Sequence, residues 1–102
     1  MLSIIIPTLN EEENIEKTLN KIQKISNKIN LNIVIVDDNS KDNTLKLVQL
    51  FKEKLEIKII RNDKKLGLGY ALMKGYLISN NPFVMFLDAD LSVDESDILN
   101  LF

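Results

Sequence analysis

The chain has 102 residues, of which 45% are hydrophobic, which is enough for one globular domain with a real core. The net charge of −2, with basic residues dispersed among acidic ones, argues against a nucleic-acid partner. Because the sequence contains no cysteine and no histidine, a disulfide framework, a thiolate zinc site and a histidine general base are all excluded. Any chemistry must therefore use carboxylates, amides, hydroxyls and lysines.

The first residues of the chain lack the basic start and the long apolar stretch of a secretory signal. Pro7 also interrupts the opening apolar run well short of a membrane span. We therefore expect a cytoplasmic protein. A lipid substrate would bring it to the cytoplasmic face of the membrane, so peripheral membrane association stays open.

Apolar runs and amphipathic stretches alternate along the chain. The predicted strands are residues 3–6, 31–36, 57–60 and 83–87, and the predicted helices are residues 10–28, 42–54 and 67–79. Asn10 and Glu13 predict an N-cap and a capping-box acid at the start of the first helix. The unbroken apolar run of the last strand predicts burial on both of its faces.

Strict alternation of strands and helices predicts right-handed crossovers and a parallel sheet with helices on both faces. The predicted fold class is α/β, a Rossmann-like doubly wound sheet of about four parallel strands in the order 3-2-1-4. Ligands of such sheets bind beyond the carboxyl ends of the strands where the order reverses, here between strands one and four. Residues 94–102 predict the start of a further helix, capped by Ser92 or Asp94, and the fourth strand is expected at the sheet edge.

Two carboxylates, Asp88 and Asp90, directly follow the fourth predicted strand. Carboxylate oxygens are natural ligands of divalent cations, and Mg²⁺ in particular binds through one or two carboxylates together with substrate phosphates. The pair therefore predicts a metal-bridged phosphate compound at this end of the sheet. The alternative is that Asp88 begins a turn and Asp90 caps the next helix.

Two further polar segments are predicted to converge on the same end of the sheet, residues 7–11 after strand one and residues 37–40 after strand two. The carboxylates of Asp37 and Asp38 can accept hydrogen bonds from a base N–H and from ribose hydroxyls. The alternative is that Asp37 is a capping residue and that Ser40 or Asp42 begins the second helix. For Asp42 this structural role is preferred.

Gly67 and Gly69 lie in a short loop at the predicted start of the third helix, where backbone N–H groups and the helix N-terminus favour an anion. The spacing is not a dinucleotide fingerprint, because the loop follows strand three and Leu72 stands in the place of a third glycine. Lys65 and its basic neighbours can reach a diphosphate. The alternative is that these lysines are simply solvated, which is the more frequent state in surface loops.

With these segments the chain resembles the family 2 glycosyltransferases of GT-A fold, and among them the polyprenol-phosphate sugar transferases such as the dolichol-phosphate mannosyltransferases. The resemblance rests on four motifs in the family's order and spacing. They are IIIPTLNEE at residues 4–12, VDDNSKDNT at residues 36–44, GLGYA at residues 67–71 and DADLS at residues 88–92. Together they span nearly the whole chain.

The resemblance implies a nucleotide-sugar donor, GDP-mannose or a UDP-sugar, bound through Mg²⁺ or Mn²⁺. Asp88 and Asp90 are then the catalytic and metal-binding residues of a DxD motif, and the metal neutralises the leaving nucleoside diphosphate. The implied nucleotide-sugar-binding residues are Pro7, Thr8, Leu9, Glu11, Asp37, Asp38, Ser40, Lys65, Gly67, Asp88, Ala89 and Asp90. Leu9 departs from the family, where tyrosine is frequent, and offers the base an apolar contact only.

Family members of this kind invert the configuration at the anomeric carbon of the transferred sugar. A polyprenyl phosphate acceptor attacks through its own anionic oxygen, which fits a site without histidine. The relatives continue well beyond the last of the four motifs. We therefore expect residues 1–102 to form one nucleotide-sugar-binding, N-terminal part of a GT-A domain, truncated after the DxD motif and without turnover on its own.

Three other interpretations share some of these sequence features. A nucleotide-binding module without catalysis has the same motifs. A phosphoacceptor receiver domain has a similar acid pair, but it opens with that strand, whereas a full strand–helix unit precedes Asp37 here. A sugar nucleotidyltransferase shares the sheet and the metal, but its glycine-rich loop is missing, since residues 7–11 stand in that place.

Overall fold

The computed structural model describes residues 1–79 and 81–90. In these ranges the chain forms four strands and three helices in strict alternation. The elements are β1 (Leu2–Thr8), α1 (Ile15–Ser26), β2 (Leu31–Asp37), α2 (Thr44–Gln49), β3 (Ile57–Arg61), α3 (Leu68–Ser79) and β4 (Phe83–Phe86). The helix predicted at residues 94–102, with its cap at Ser92 or Asp94, lies outside the described residues.

All strand pairs are parallel, and the sheet order is β3-β2-β1-β4. This confirms the predicted doubly wound topology with the order 3-2-1-4. The register aligns the ends of the two central strands, with Thr8 opposite Asp37. The segments that follow β1 and β2 therefore begin at the same level, above the switch point between β1 and β4.

The two central strands are buried on both faces because helices cover each face. Side chains that alternate along β1 and β2 point into two separate clusters. The larger one gathers Ile4, Ile6, Ile33 and Ile35 with apolar residues of α1 and α2. The smaller one gathers Ile5, Val34 and Val36 with Ala71 of α3. The nearly all-apolar composition of these strands follows from this double burial.

Helix α3 packs against the sheet through small residues. Its buried positions are Ala71, Gly75 and Ser79, spaced four residues apart on one face. A Cβ at Gly75 would overlap the Ile5 side chain and lie 3.3 Å from Cγ2 of Val36, so glycine is required for this approach. Five large side chains of α3 are exposed, those of Leu68, Tyr70, Met73, Tyr76 and Leu77.

The predicted start of the first helix is wrong. Helix α1 begins at Ile15 with Asn14 as its N-cap residue, and within the described residues no side chain caps it. Asn10 instead adopts a left-handed backbone conformation with φ of 54°. Its side chain bonds a neighbouring loop, so tertiary contacts replace the local capping box that Asn10 and Glu13 predicted.

The second helix and the fourth strand also differ from expectation. Helix α2 ends at Gln49, before Phe51 and Leu55, although both of these side chains are buried as the apolar pattern predicted. Strand β4 is not buried on both faces, since Phe83 is 57% and Phe86 is 48% exposed. Among the described strands β4 pairs with β1 alone, so it occupies a sheet edge and loses the cover that a central strand has.

In residues 1–79 and 81–90, no helix is long and apolar enough to cross a membrane.

Candidate nucleotide-sugar site

An open cavity of about 390 Å³ lies at the carboxyl ends of the strands, at the switch point between β1 and β4. All of the predicted nucleotide-sugar-binding residues except Asp37 and Ser40 line it. The lining residues are Pro7, Thr8, Leu9, Glu11, Asp38, Lys65, Gly67, Leu68, Ala71, Asp88, Ala89 and Asp90. Leu68 and Ala71 were not predicted as site residues, although both belong with Gly67 to the third motif, which could have identified them.

Glu11 lies in the cavity wall close to other carboxylates. The pKa of Glu11 is raised above its ordinary value, first by burial and then by the negative charges of Asp90, Asp42 and Asp88. Asp88 and Asp90 are exposed, and within the described ranges neither side chain has a hydrogen-bond or salt-bridge partner. The mouth of the cavity therefore has a negative potential that a cation would relieve.

The donor set fits a divalent cation that shares its coordination with a ligand. Among the described residues, no group of three acidic side chains is arranged to hold a metal on its own. Two carboxylates beside a cavity are instead what Mg²⁺ uses when phosphate oxygens and water complete its octahedron. Asp88 and Asp90 are the residues that would hold it.

The loop that carries the acid pair is anchored from α1. The Thr18 hydroxyl donates a buried hydrogen bond of 2.5 Å to the carbonyl oxygen of Ala89. Ala89 itself is 2% exposed and packs into the larger apolar cluster. Thr18 was not predicted as part of the site, since the sequence shows it only as a polar residue on the apolar face of a helix. Its bond fixes the backbone between the two carboxylates.

Asp38 holds the loop that leads into α3. Its carboxylate accepts hydrogen bonds from the backbone N–H of Leu66 at 2.6 Å, from the N–H of Gly67 at 2.9 Å and from the Asn62 amide at 3.3 Å. Burial alone would raise the pKa of Asp38, but these hydrogen bonds and the charge of Lys65 lower it. Asp38 is thus an ionised acceptor in the cavity wall. Since a carboxylate has about four acceptor positions, one remains for a ligand N–H.

Asp42 has a structural role before α2, as preferred for it, although the helix begins at Thr44 and not at Asp42. Its carboxylate accepts hydrogen bonds from the N–H and hydroxyl of Thr44, the first residue of α2, and from the N–H of Glu12. Burial would raise the pKa of Asp42, but the bonds from Thr44 and Glu12 lower it. The hydroxyl of Thr44 in turn accepts a bond of 2.8 Å from the N–H of Glu11. The start of α2 therefore supports the segment that carries Glu11 into the cavity.

Lys65 lines the cavity and is exposed, as an anion-binding side chain in this loop must be. Gly67 has φ of 95°, a conformation that glycine adopts without strain, and it allows the loop to turn into α3 beside Asp38. Arg61 and Lys64 do not belong to the residues that line the described cavity. A role for Lys65 at a diphosphate stays a prediction.

A doubly wound parallel sheet with an acidic cavity at its switch point defines an α/β domain of the kind that binds nucleotides. Comparison with known proteins makes the assignment specific. Residues 3–102 match the Glycosyl transferase family 2 profile, and the chain belongs to this family. Its solved structural neighbours are GT-A glycosyltransferases, which confirms the predicted fold class. The family membership also agrees with the preference for a glycosyltransferase over a receiver domain.

Two curated relatives illustrate the sequence similarity. The chain is 38% identical over 90 residues to a dolichol-phosphate mannosyltransferase of Pyrococcus furiosus, covering 88% of this chain and 26% of that protein. It is 33% identical over 106 residues to a dolichyl-phosphate beta-glucosyltransferase of Dictyostelium discoideum, covering 94% of this chain and 32% of that protein. The chain therefore spans about a third or less of the length of these relatives.

Two solved structures illustrate the structural similarity. Residues 1–349 of Staphylococcus aureus TarS, in complex with UDP, superpose with a TM-score of 0.89 at 28% identity, covering 98% of this chain and 30% of that one. The mannosyltransferase PcManGT of Pyrobaculum calidifontis, in complex with GDP-Man and Mn²⁺, superposes with a TM-score of 0.79 at 28% identity. Here 87% of this chain and 27% of that chain are covered.

Proposed function

We propose that this chain binds a nucleoside-diphosphate sugar through a divalent cation and forms the donor-binding part of an inverting glycosyltransferase. The observation that carries the proposal is the cavity at the switch point, where Asp88 and Asp90 share the wall with Glu11 and Asp38. Family membership supports the same activity. The fit of the donor set to a phosphate-bound cation supports the metal.

The residues of the cavity divide between the parts of such a donor. Pro7, Thr8 and Leu9 form the wall on the β1 side, where Leu9 offers an apolar surface for the base. Asp38 has an acceptor position left for a base N–H. Lys65, in the loop before α3, brings a positive charge toward the diphosphate.

Asp88 and Asp90 would hold Mg²⁺ or Mn²⁺, whose charge favours departure of the nucleoside diphosphate as the sugar C1–O bond breaks. We assign Asp88 and Asp90 the catalytic role because no other described carboxylate pair lines the cavity on the β4 side. Since the sequence has no histidine, a nucleophile that is already anionic suits this site better than an alcohol that needs a general base.

A polyprenyl phosphate supplies such a nucleophile through its phosphate oxygen. We therefore propose a polyprenyl or dolichyl phosphate acceptor and a sugar of the mannose or glucose type, from GDP-mannose or a UDP-sugar. The two relatives named for dolichol-phosphate mannose and dolichyl-phosphate glucose transfer support this choice. Solved neighbours bound to GDP-Man and to UDP support both classes of nucleotide.

We also propose that the chain works at the cytoplasmic face of the membrane, with the outer face of α3 toward the lipid. That face carries the exposed apolar residues of α3 next to Lys74. Three basic residues precede the helix, Arg61 at the end of β3 and Lys64 and Lys65 in the following loop. Leu68, the first residue of the helix, also lines the cavity. Apolar and basic groups together suit an anionic lipid surface.

Sedimentation with vesicles tests the membrane proposal. We expect the chain to sediment with anionic phosphatidylglycerol vesicles and less with neutral phosphatidylcholine vesicles. Leu77→Glu, on the outer face of α3, should abolish the sedimentation, whereas Leu50→Glu, equally exposed but outside α3, should not. Equal sedimentation of both variants would contradict the assignment of this face.

Isothermal titration calorimetry tests the donor site. GDP, UDP, GDP-mannose and UDP-glucose are titrated into the chain with and without Mn²⁺. We expect metal-dependent binding of one nucleoside diphosphate that is lost in Asp90→Ala and retained in Asp63→Ala, an exposed residue outside the cavity. Metal-independent binding, or none by the folded chain, would refute the proposal.

A donor-binding module without turnover is the second candidate, because the chain spans about a third or less of the length of the two curated relatives described above. The two candidates differ in product formation. With radiolabelled GDP-mannose or UDP-glucose, Mn²⁺ and a short polyprenyl phosphate, transfer of label to the lipid phase identifies a complete enzyme. Donor binding without labelled lipid identifies the module.

A further inference from the structure

Asp37 is a completely buried carboxylate next to the candidate site. It ends β2 and is 0% exposed, and it is absent from the described residues that line the cavity. Its oxygens accept three short hydrogen bonds, from the Thr8 hydroxyl at 2.6 Å, the Ser40 hydroxyl at 2.6 Å and the Ser40 N–H at 2.8 Å. Both oxygens therefore accept hydrogen bonds from protein donors, and the buried carboxylate connects the ends of β1 and β2.

The network continues from Ser40 into the segment after β1. The Ser40 hydroxyl accepts a hydrogen bond of 2.9 Å from the N–H of Asn10, and the Asn10 side chain accepts one of 2.8 Å from the N–H of Lys41. Asn10 and Asn39 both have left-handed backbones, with φ of 54° and 70°. Such conformations persist in residues other than glycine when surrounding contacts determine them.

We infer that Asp37 is a positioning residue of the donor site, which shapes the cavity without touching the donor. It holds Thr8, a cavity residue, directly. Through Ser40 it fixes Asn10, whose two neighbours Leu9 and Glu11 both line the cavity. The inference rests on the proposed function, and it replaces the expectation that Asp37 and Ser40 themselves bind the nucleotide.

The chemistry of this position explains why a carboxylate is needed. Both oxygens of Asp37 face donors, so each must be an acceptor. In Asp37→Asn one oxygen becomes an NH₂ group, which faces a hydroxyl or N–H donor and leaves at least one buried group unsatisfied. The isosteric change therefore breaks the network at nearly constant volume.

Amide hydrogen exchange of the full 102-residue chain, without nucleotide, tests the positioning directly. In Asp37→Asn we expect exchange at the N–H groups of Asn10 and Ser40 to accelerate by roughly tenfold or more, with central β1 amides still protected. Asp63→Asn, an exposed residue, is the control with the same charge change. Unchanged exchange at Asn10 and Ser40 would overturn the inference. Because no nucleotide is involved, this result is informative even if the proposed donor binding fails.

Binding measurements separate positioning from direct contact. With Mn²⁺, we expect Asp37→Asn to weaken GDP, UDP and their 2′-deoxy analogues by a similar factor, roughly tenfold to a hundredfold. Ser40→Ala should weaken all of them as well, and Ser40→Thr, which keeps the hydroxyl, should restore the affinity. If affinity falls only for nucleotides of one base, or more for the ribose nucleotides than for their 2′-deoxy analogues, Asp37 contacts the donor and the positioning role is refuted. If the unaltered chain binds no nucleotide, the proposed function fails and the exchange result alone decides the role of Asp37.

Discussion

Gly75 sets the distance between α3 and the sheet, and replacing it by alanine tests how the donor cavity is built. A Cβ at this position would overlap Cγ2 of Ile5 and lie 3.3 Å from Cγ2 of Val36. Both neighbours are fully buried and branched at Cβ, so they cannot rotate away without disturbing the core. Helix α3 must therefore move outward, or the strands must shift.

The expected magnitude follows from two opposing effects. Overpacking of a close-packed core costs about 1–3 kcal/mol. Replacing glycine by alanine inside a helix returns about 1 kcal/mol. We expect Gly75→Ala to lower the free energy of unfolding by up to about 2 kcal/mol, which corresponds to a fall in Tm of up to roughly 15 °C for a domain of this size.

Thermal and urea unfolding followed by circular dichroism measure this change. Gly69→Ala is the matched control, because within the described residues nothing lies within 4 Å of the added Cβ and the residue is also in α3. It should be neutral or stabilise by up to about 1 kcal/mol. Since Ala71 lines the cavity one turn from Gly75, nucleotide affinity should fall in Gly75→Ala as well. A Gly75→Ala protein as stable as Gly69→Ala would refute the close-packing argument.

Three other changes test the walls of the cavity. Thr18→Val removes the donor to the Ala89 carbonyl at constant volume, so we expect a loss of about 1–2 kcal/mol and weaker Mn²⁺-dependent binding by calorimetry, with Thr18→Ser unaffected. The pKa of Glu11 is raised, first by burial and then by Asp90, so its contribution to stability is full below its unfolded-state pKa and is lost as pH rises through the folded value. At pH 7 the free energy of unfolding in urea should therefore be higher for Glu11→Gln than for the unaltered chain. If this difference is as large at pH 3 as at pH 7, the prediction is contradicted. The pKa of Asp38 is lowered by its hydrogen bonds against the effect of burial, so its contribution is present above about pH 4 and is lost as pH falls. At pH 7 the free energy of unfolding should be lower for Asp38→Asn than for the unaltered chain, and this difference should become smaller at pH 3. An equal difference at both pH values would argue against an ionised Asp38.

Local sequence patterns determined the architecture of this protein. The order of the elements follows from the nearly all-apolar runs of β1 and β2 and from the amphipathic spacing of α1. A strand buried on both faces is apolar along its length, whereas a helix buried on one face has apolar residues at helical spacing, here Ile15, Leu19, Ile22 and Ile25. The parallel order 3-2-1-4 followed from the handedness of crossovers, and it predicted the end of the sheet at which Asp38, Asp88 and the segment after β1 meet.

Tertiary contacts decided how the individual residues are used. Asn10 has the local pattern of a helix cap, but hydrogen bonds with Ser40 and Lys41, thirty residues away in sequence, hold it in a left-handed turn. Asp37 and Asp38 are adjacent and alike in sequence, yet one carboxylate is enclosed by Thr8 and Ser40 while the other reaches the cavity wall. The reason is that alternate residues at a strand end point to opposite sides, so their partners come from segments distant in sequence, which no local pattern specifies.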